Sequence, residues 1–382
     1  MKNYVDIRNF VDINISHHES VNKTAINDTV ILFTQEGQLN NDEELIKSYS
    51  EWQTKHPDTS DLSLTEQYVS YYFNDYHGNK LYILYGYTKD KIVTIVNKLK
   101  AIDVKYSVVG WAVTDNTNTH TSAYYQEQLA KTYYSDNNMY GIMDKIFLTV
   151  YYNDDLSDNN LLLNTNTDDK GIVGKYVYDI ADKNGVEMSI GAYLSQLNFE
   201  GTDTIQDYDF TLENDGDNLL EDTSINTIIT KHLNTTTEFA GKNRNIGGDM
   251  IDGTDLVNQY SSIILQQTCT NVLLNLLSQK IKGQTGIDAM YSVLTQELQK
   301  YVTNGYLTTD KICDFDYTVN VNNVDYTIIK KNTPLSLGYQ ITILPYSSLS
   351  ANDINKHKAP NVYLVLAESY GVRLIKVYGN TF

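Results

Sequence analysis

Three short stretches carry residue types that could do chemistry. His17-His18-Glu19 is a histidine cluster with metal-ligand character. A zinc site needs three or four ligands, drawn from two places in a fold. No second ligand pair accompanies this cluster, and neither H-E-x-x-H nor paired cysteines occur, so it reads as solvated charge. Gly171-Ile172-Val173-Gly174-Lys175 superficially resembles a phosphate-binding loop. Such a loop needs a glycine five residues before the Gly-Lys pair and a hydroxyl residue after it. Asp169 and Tyr176 stand there instead. Asp215-Gly216-Asp217-Asn218 begins like a calcium loop, but Leu220 replaces the turn glycine and Asn226 the closing glutamate. There is no G-x-S-x-G nucleophile elbow and no G-x-G-x-x-G between strand and helix. Carboxylate pairs suited to glycoside hydrolysis are available among 48 acidic residues, but nothing singles one out. The chemistry therefore points away from a cofactor, a metal or a catalytic centre, towards a structural role.

Composition agrees. The net charge is −19, with arginine only at positions 8, 244 and 373. An acidic, arginine-poor surface repels phosphate backbones and anionic lipid, which argues against direct binding to nucleic acid or membrane. The abundant tyrosines lack the basic groove of a single-strand platform. No run approaches the roughly 20 apolar residues of a membrane span, and Met1-Lys2-Asn3-Tyr4 has no apolar signal core. Two cysteines, Cys269 on an apolar helix face and Cys313, suggest buried thiols and synthesis in a reducing cytoplasm.

The elements fall into three parts. Residues 1–28 form an extended N-terminal arm, in which Val11, Ile13 and Ile15 alternate with polar residues as in a half-buried strand. A lone strand on a polar tether must pair with something distant, either the chain's own far end or another subunit. Residues 29–240 alternate apolar strands and amphipathic helices. Strands are expected at 30–33, 81–85, 106–113, 146–152, 173–179 and 208–212, and helices at 64–73, 91–102, 122–134, 188–197 and 222–233. That pattern is an α/β domain with a mostly parallel sheet covered on both faces. Glycines and polar residues at 235–253 mark a boundary. Residues 241–382 read as an α+β domain of two helices and a small, mostly antiparallel sheet. One hairpin turns at Asn322-Asn323, and another, 362–367 with 372–378, turns at Ser369-Tyr370-Gly371.

Gly253 to Gly305 is the pivot of the last part. Thr254 or Asp255 can cap the first helix, Thr285 with Asp288 forms a variant capping box for the second, and Asn304-Gly305 ends it. Ile287, Met290, Leu294 and Leu298 make one apolar stripe. The first helix is different. Leu256, Tyr260 and Ile264 share one face, whereas Leu273 and Leu276 lie roughly opposite. It is either wedged between two bodies or central to one large core.

Several stretches, in order, resemble the contractile tail sheath proteins of bacteriophages and related injection machines, in their short, simple branch. Val11-Asp12-Ile13-Asn14-Ile15-Ser16 resembles the opening V-x-V-x-I-S strand, and 27–33 the first core strand. Tyr71-Tyr72-Phe73-Asn74 with Gly78-Asn79-Lys80-Leu81-Tyr82-Ile83 resembles the family's y-F-x-N-G-G…l-y-v-v-R-v step, interrupted by Asp75-Tyr76-His77 and lacking its arginine. Ile190-Gly191-Ala192-Tyr193 matches a small-residue helix. Asp252-Gly253-Thr254, Thr285-Gly286-Ile287, Gly338-Tyr339 and Lys358-Ala359-Pro360 follow in the family's order, with Lys358 where an arginine is usual.

The resemblance implies a non-enzymatic subunit that stacks as hexameric rings around a tail tube and contracts to drive the tube through a host envelope. Implied partners are itself, the tube protein, and baseplate and terminator proteins. Strand arms would join subunits, with Val11, Ile13 and Ile15 at one end and Val372, Leu374, Ile375 and Val377 at the other. Leu256, Tyr260, Ile264, Leu273, Leu276, Ile287, Leu294 and Leu298 would form the helical backing of the assembly domain. Another tail component, tube or baseplate, or an α/β hydrolase with an unrecognised site, are the alternative readings.

Overall fold

The computed structural model describes residues 13–15, 29–38, 43–75, 77–102, 106–114, 122–136, 145–152, 172–177, 185–197, 230–239, 242–246, 248–277, 283–356 and 358–369. After β1 (Ile13–Ile15), the larger sheet comprises β2 (Thr29–Thr34), β3 (Glu43–Ile46), β4 (Lys80–Leu84), β5 (Val108–Ala112), β6 (Ile146–Tyr152) and β7 (Ile172–Val177). Their spatial order is β3-β4-β2-β5-β6-β7. All pairs are parallel except β3 with β4.

Both faces of this sheet are covered, which is why its strands read as continuous apolar runs. Val30 and Leu32 of β2 face one core with Val108, Ile146 and Leu148. Ile31 and Phe33 face the other with Val109, Trp111 and Phe147. The first core is closed by α2 (Ser63–Ser70), continued by a π-helical turn at Tyr71–Asp75, and by α5 (Met188–Gln196). The second is closed by α3 (Ile92–Ala101) and α4 (Ser122–Asp136). Helix α5 lies very close to the sheet. A Cβ on Gly191 would meet Leu148 Cδ1 at 3.1 Å, and one on Gly110 would meet Met188 Sδ at 2.7 Å. The small residues of 190–192 therefore permit contact with the sheet.

The sequence expectations at 30–33, 81–85, 91–102, 106–113, 146–152, 173–179 and 188–197 correspond to these elements. Strand β3 and helix α1 (Tyr49–Lys55) were not expected. The strand at 208–212 lies outside the described residues, as does nearly all of the helix at 222–233. The boundary at 235–253 is not simply loop. It contains an antiparallel hairpin, β8 (Thr235–Phe239) with β9 (Lys242–Ile246), whose threonines favour a pleated backbone.

Two long helices follow, α6 (Leu256–Leu277) and α7 (Gly283–Thr303). Asp255 caps α6 through Asn258 N–H at 2.9 Å. Helix α7 begins two residues before Thr285, and Gln284 rather than Thr285 bonds Asp288, at 2.9 Å. The expected capping box is thus corrected: Thr285 is already inside the helix. Gly305 (φ +80°) ends α7, with Tyr306 N–H on Tyr301 O and Gly305 N–H on Val302 O. Helix α6 is buried all round from Leu256 to Gln266, and it shares one continuous core with the larger sheet, α7 and the C-terminal strands. A helix covered on every side has no single apolar stripe, which explains its drifting pattern.

The C-terminal part has two strand layers. The hairpin β10 (Tyr317–Val321) and β11 (Val324–Ile329) turns at Asn322 (φ 51°) and Asn323 (φ 63°), the paired left-handed geometry of a two-residue turn. The second layer is β12 (Tyr339–Ile343), β13 (Val362–Leu366) and β1, in the order β1-β13-β12. A short helix, α8 (Ala351–Asn355), lies between β12 and β13, and Lys358 pairs with its Asp353 at 2.9 Å. Among the described residues, no helix is long and apolar enough to cross a membrane.

Candidate assembly interface

The three-stranded sheet alternates strictly. Tyr339, Val362 and Leu364 pack into the core that holds Leu294 and Leu298 of α7, with Ile341, Ile343 and Leu366 partly buried against it. Leu344, Tyr363, Val365 and Ala367 pack on the opposite side against Ile328, Ile329, Leu335 and Cys313. The sheet is thus sandwiched between the helix pair and the β10–β11 hairpin. Gln340 Nε2 donates to Ile328 O at 2.7 Å and ties the layers together.

Its two edges differ. On the β13 edge sits β1, parallel, with Ile13 beside Val362, Asn14 beside Tyr363 and Ile15 beside Leu364. The distant partner of the arm is, in the isolated chain, its own C-terminal strand. The other edge is β12. Leu344 N–H bonds Asn361 O and Ala367 N–H bonds Gly338 O, which fixes the phase of the ladder. Gln340 and Thr342 then bond β13, and the backbone groups of Tyr339, Ile341 and Ile343 point away from it. No strand pairs with that side among the described residues.

Exposed edges invite pairing, and proteins guard them with charge, proline or a bulge. Edge strand β3 is guarded. Glu43 pairs with Lys98 at 2.5 Å, which lowers its pKa, and Glu44 holds His56 at 2.6 Å. Strand β12 reads Tyr-Gln-Ile-Thr-Ile, with neither charge nor proline.

The segment leaving β13 is anchored. Ser262 Oγ on α6 donates to Glu368 Oε1 at 2.6 Å, and Ser369 N–H bonds Tyr306 O at 2.9 Å. The chain beyond 369 therefore departs from a fixed point.

Of the residues singled out from sequence, Ile13 and Ile15 lie in β1, whereas Val11, Val372, Leu374, Ile375 and Val377 lie outside the described residues. Leu256, Tyr260, Ile264, Leu273, Leu276, Leu294 and Leu298 are all buried in one core, with Ile287 partly buried against it. Burial pushes the Cys269 thiol up, and both cysteines are free and buried. The β12 edge was missed. Its signal was the uncharged alternation at 339–343.

The larger sheet has its own candidate site. In an open α/β sheet, ligands bind at the strand C-termini where the order reverses. Here that is between β2 and β5, beside the N-terminus of α2. The Glu36 carboxylate occupies that helix end. It accepts Leu64 N–H at 3.0 Å, Thr65 N–H at 2.8 Å and the Thr65 hydroxyl at 2.6 Å. Gln35 Nε2 donates to Thr114 Oγ1 at 2.8 Å and its Oε1 accepts Thr114 N–H at 3.0 Å, joining the β2 and β5 ends. A side-chain anion thus fills the place where a helix N-terminus would hold a phosphate.

No protein-family model matches the chain, and no curated protein matches it in sequence. Solved structures do. The helical sheath of the anti-feeding prophage in its contracted state aligns with a TM-score of 0.57 at 10% identity, over 96% of this chain and 97% of that one. A sheath tail protein from Listeria innocua aligns with a TM-score of 0.52 at 8% identity, over 91% and 96%. The chain has the fold of contractile sheath proteins. A chain in the contracted baseplate structure of the anti-feeding prophage also aligns, with a TM-score of 0.56 at 12% identity, over 96% and 97%. At such low identity, the sheath fold here rests on shape and topology.

Proposed function

We propose that this chain is a structural sheath subunit of a contractile, phage-type tail, without enzymatic activity. The sheath fold along nearly the whole chain carries this reading. Subunits would form six-membered rings stacked helically around a tail tube, held between baseplate and terminator proteins. The extended stack would convert to a lower-energy contracted one and drive the tube through a host envelope. Synthesis would take place in the host bacterial cytoplasm, and the mature site would be the virion tail.

The C-terminal part, 241–382, is the assembly domain in this reading, and 29–240 is the outer body. The unguarded β12 edge supports strand exchange between copies, because an added strand satisfies its backbone groups and covers Ile341 and Ile343. The segment 372–377, with Val372, Leu374, Ile375 and Val377, is the proposed donor, being rich in β-branched and apolar residues. Strand β1 supplies the opposite edge. Head-to-tail addition of this kind leaves an open contact and grows a tube. The side-chain closure of the larger sheet's crevice by Glu36 and Gln35 fits a body that needs no nucleotide.

Negative-stain microscopy of the purified protein is the test. Hollow cylinders support the reading, and a monodisperse monomer that binds a small ligand would sink it. Deletion of residues 1–20 should abolish cylinders; equal polymerisation without them would remove the strand-arm account.

A further inference from the structure

In the single chain, the arm that would join subunits is already engaged. Strand β1 lies on its own β13, also touching α6, and a tether of 13 residues, 16–28, leads to Thr29 of the larger sheet. At roughly 3.4 Å per residue, that tether spans up to about 45 Å. A tether of that reach does not by itself confine the strand to its own slot.

We propose that the free subunit is self-capped: β1 closes the β13 edge in cis, and assembly exchanges it for the β1 of a second copy. The exchange step rests on the sheath-subunit reading, whereas the cap itself does not.

Three observations carry the proposal. First, the slot is specific. Residues 362 and 364, beside which Ile13 and Ile15 lie in register, are buried in the helix-facing core. Second, the two edges of this sheet are unequal: one is filled in cis and the other, among the described residues, has no strand beside it. A chain with both edges open would associate from either side, so a cis cap leaves one route. Third, a strand swapped at unchanged register makes the same contacts in cis and in trans. The first exchange then gains nothing from that slot and loses the high effective concentration of a short tether. Its cost is recovered only when further contacts, the β12 edge among them, form together. Assembly should therefore be slow to start and fast once seeded, which keeps a chain with an unguarded edge from polymerising away from its template.

The probe is a labelled peptide of residues 8–18, followed by fluorescence anisotropy. It is added to full-length monomer and to a variant lacking residues 1–20 whose fold is checked by near-ultraviolet circular dichroism. The truncated chain should bind it, and the full-length monomer at least about 10-fold more weakly. A peptide carrying Ile13→Asp and Ile15→Asp should bind neither. If truncation unfolds the chain, the same two substitutions in the full-length chain empty the slot without shortening it, and that variant should bind the wild-type peptide. Equal binding by full-length and slot-emptied chains, or no binding by a folded slot-emptied chain, overturns the cap. Failure of the two readings is separable. Discrimination of the peptide with no cylinders sinks the sheath subunit and leaves the cap; cylinders without discrimination do the reverse.

Discussion

At the scale of single residues, Glu36 is the most informative side chain. It caps α2 from outside the helix, because Leu62 at the N-cap position has no side-chain oxygen to offer. Glu36→Ala leaves two helix N–H groups and the Thr65 hydroxyl without that partner, and should cost about 1–3 kcal/mol. Glu36→Gln keeps an acceptor and should recover part of it. Chemical denaturation of the three proteins checks this; equal midpoints would mean that water replaces the carboxylate. This cap was illegible in the sequence because its partners lie 28 and 29 residues away. The Asp255 cap of α6 was legible because its partner is three residues on. Asp353 makes a second residue-scale case. Bonds from the Ser350 hydroxyl and from Lys358 hold its carboxyl down at about 2. A depressed carboxylate stabilises its fold above the ordinary carboxylate range and stops doing so as pH falls through the depressed value. The capping box of α8 should therefore survive at pH 4 and open on approach to about pH 2, seen as loss of the Ser350 and Asp353 amide shifts in NMR titration.

Elements were legible where one periodicity dominated. Strands β2 and β5 read directly because both faces are buried, and the Asn322-Asn323 turn because few residue pairs tolerate two left-handed conformations. Strand β3 was missed for the opposite reason. It is an edge strand whose glutamates belong to its protection, not to its core. Helix α6 was recognised as odd but not placed, since a helix buried all round carries no direction in its pattern. The β12 edge follows the same logic in reverse: its alternation was legible, and its openness was not, because openness depends on which strand lies beside it. Ile341→Pro tests that openness. Its N–H points away from β13, so proline removes no ladder bond within the chain and is tolerated as on other edges. The monomer should keep its circular dichroism and melt within a few degrees of wild type, while cylinder formation fails. Cylinders formed as readily by the proline variant would show that β12 receives no strand.

The whole molecule divides its charge sharply. Residues 1–240 carry 17 basic and 37 acidic side chains, and residues 241–382 carry 12 and 11. The net negative charge therefore belongs wholly to residues 1–240, proposed as arm and outer body, while the part proposed to hold copies together is close to neutral. Like-charged bodies brought side by side in a helical stack repel one another, and mobile ions weaken that repulsion. Raising NaCl from about 20 mM to about 300 mM shortens the screening distance from roughly 20 Å to roughly 6 Å. Strand pairing between backbones is nearly indifferent to that change, and burial of Ile341 and Ile343 is not weakened by it. The repulsive term should fall and the cohesive term stay, so the critical concentration for cylinder assembly should drop severalfold across the series. Lowering the pH towards the isoelectric point of 4.6 should act in the same direction. Sedimentation of polymer at each salt concentration gives the critical concentration directly. If salt dissolved the cylinders instead, ion pairs between copies would be their main cement, and the division of labour between a neutral assembly domain and a repelling body would be wrong.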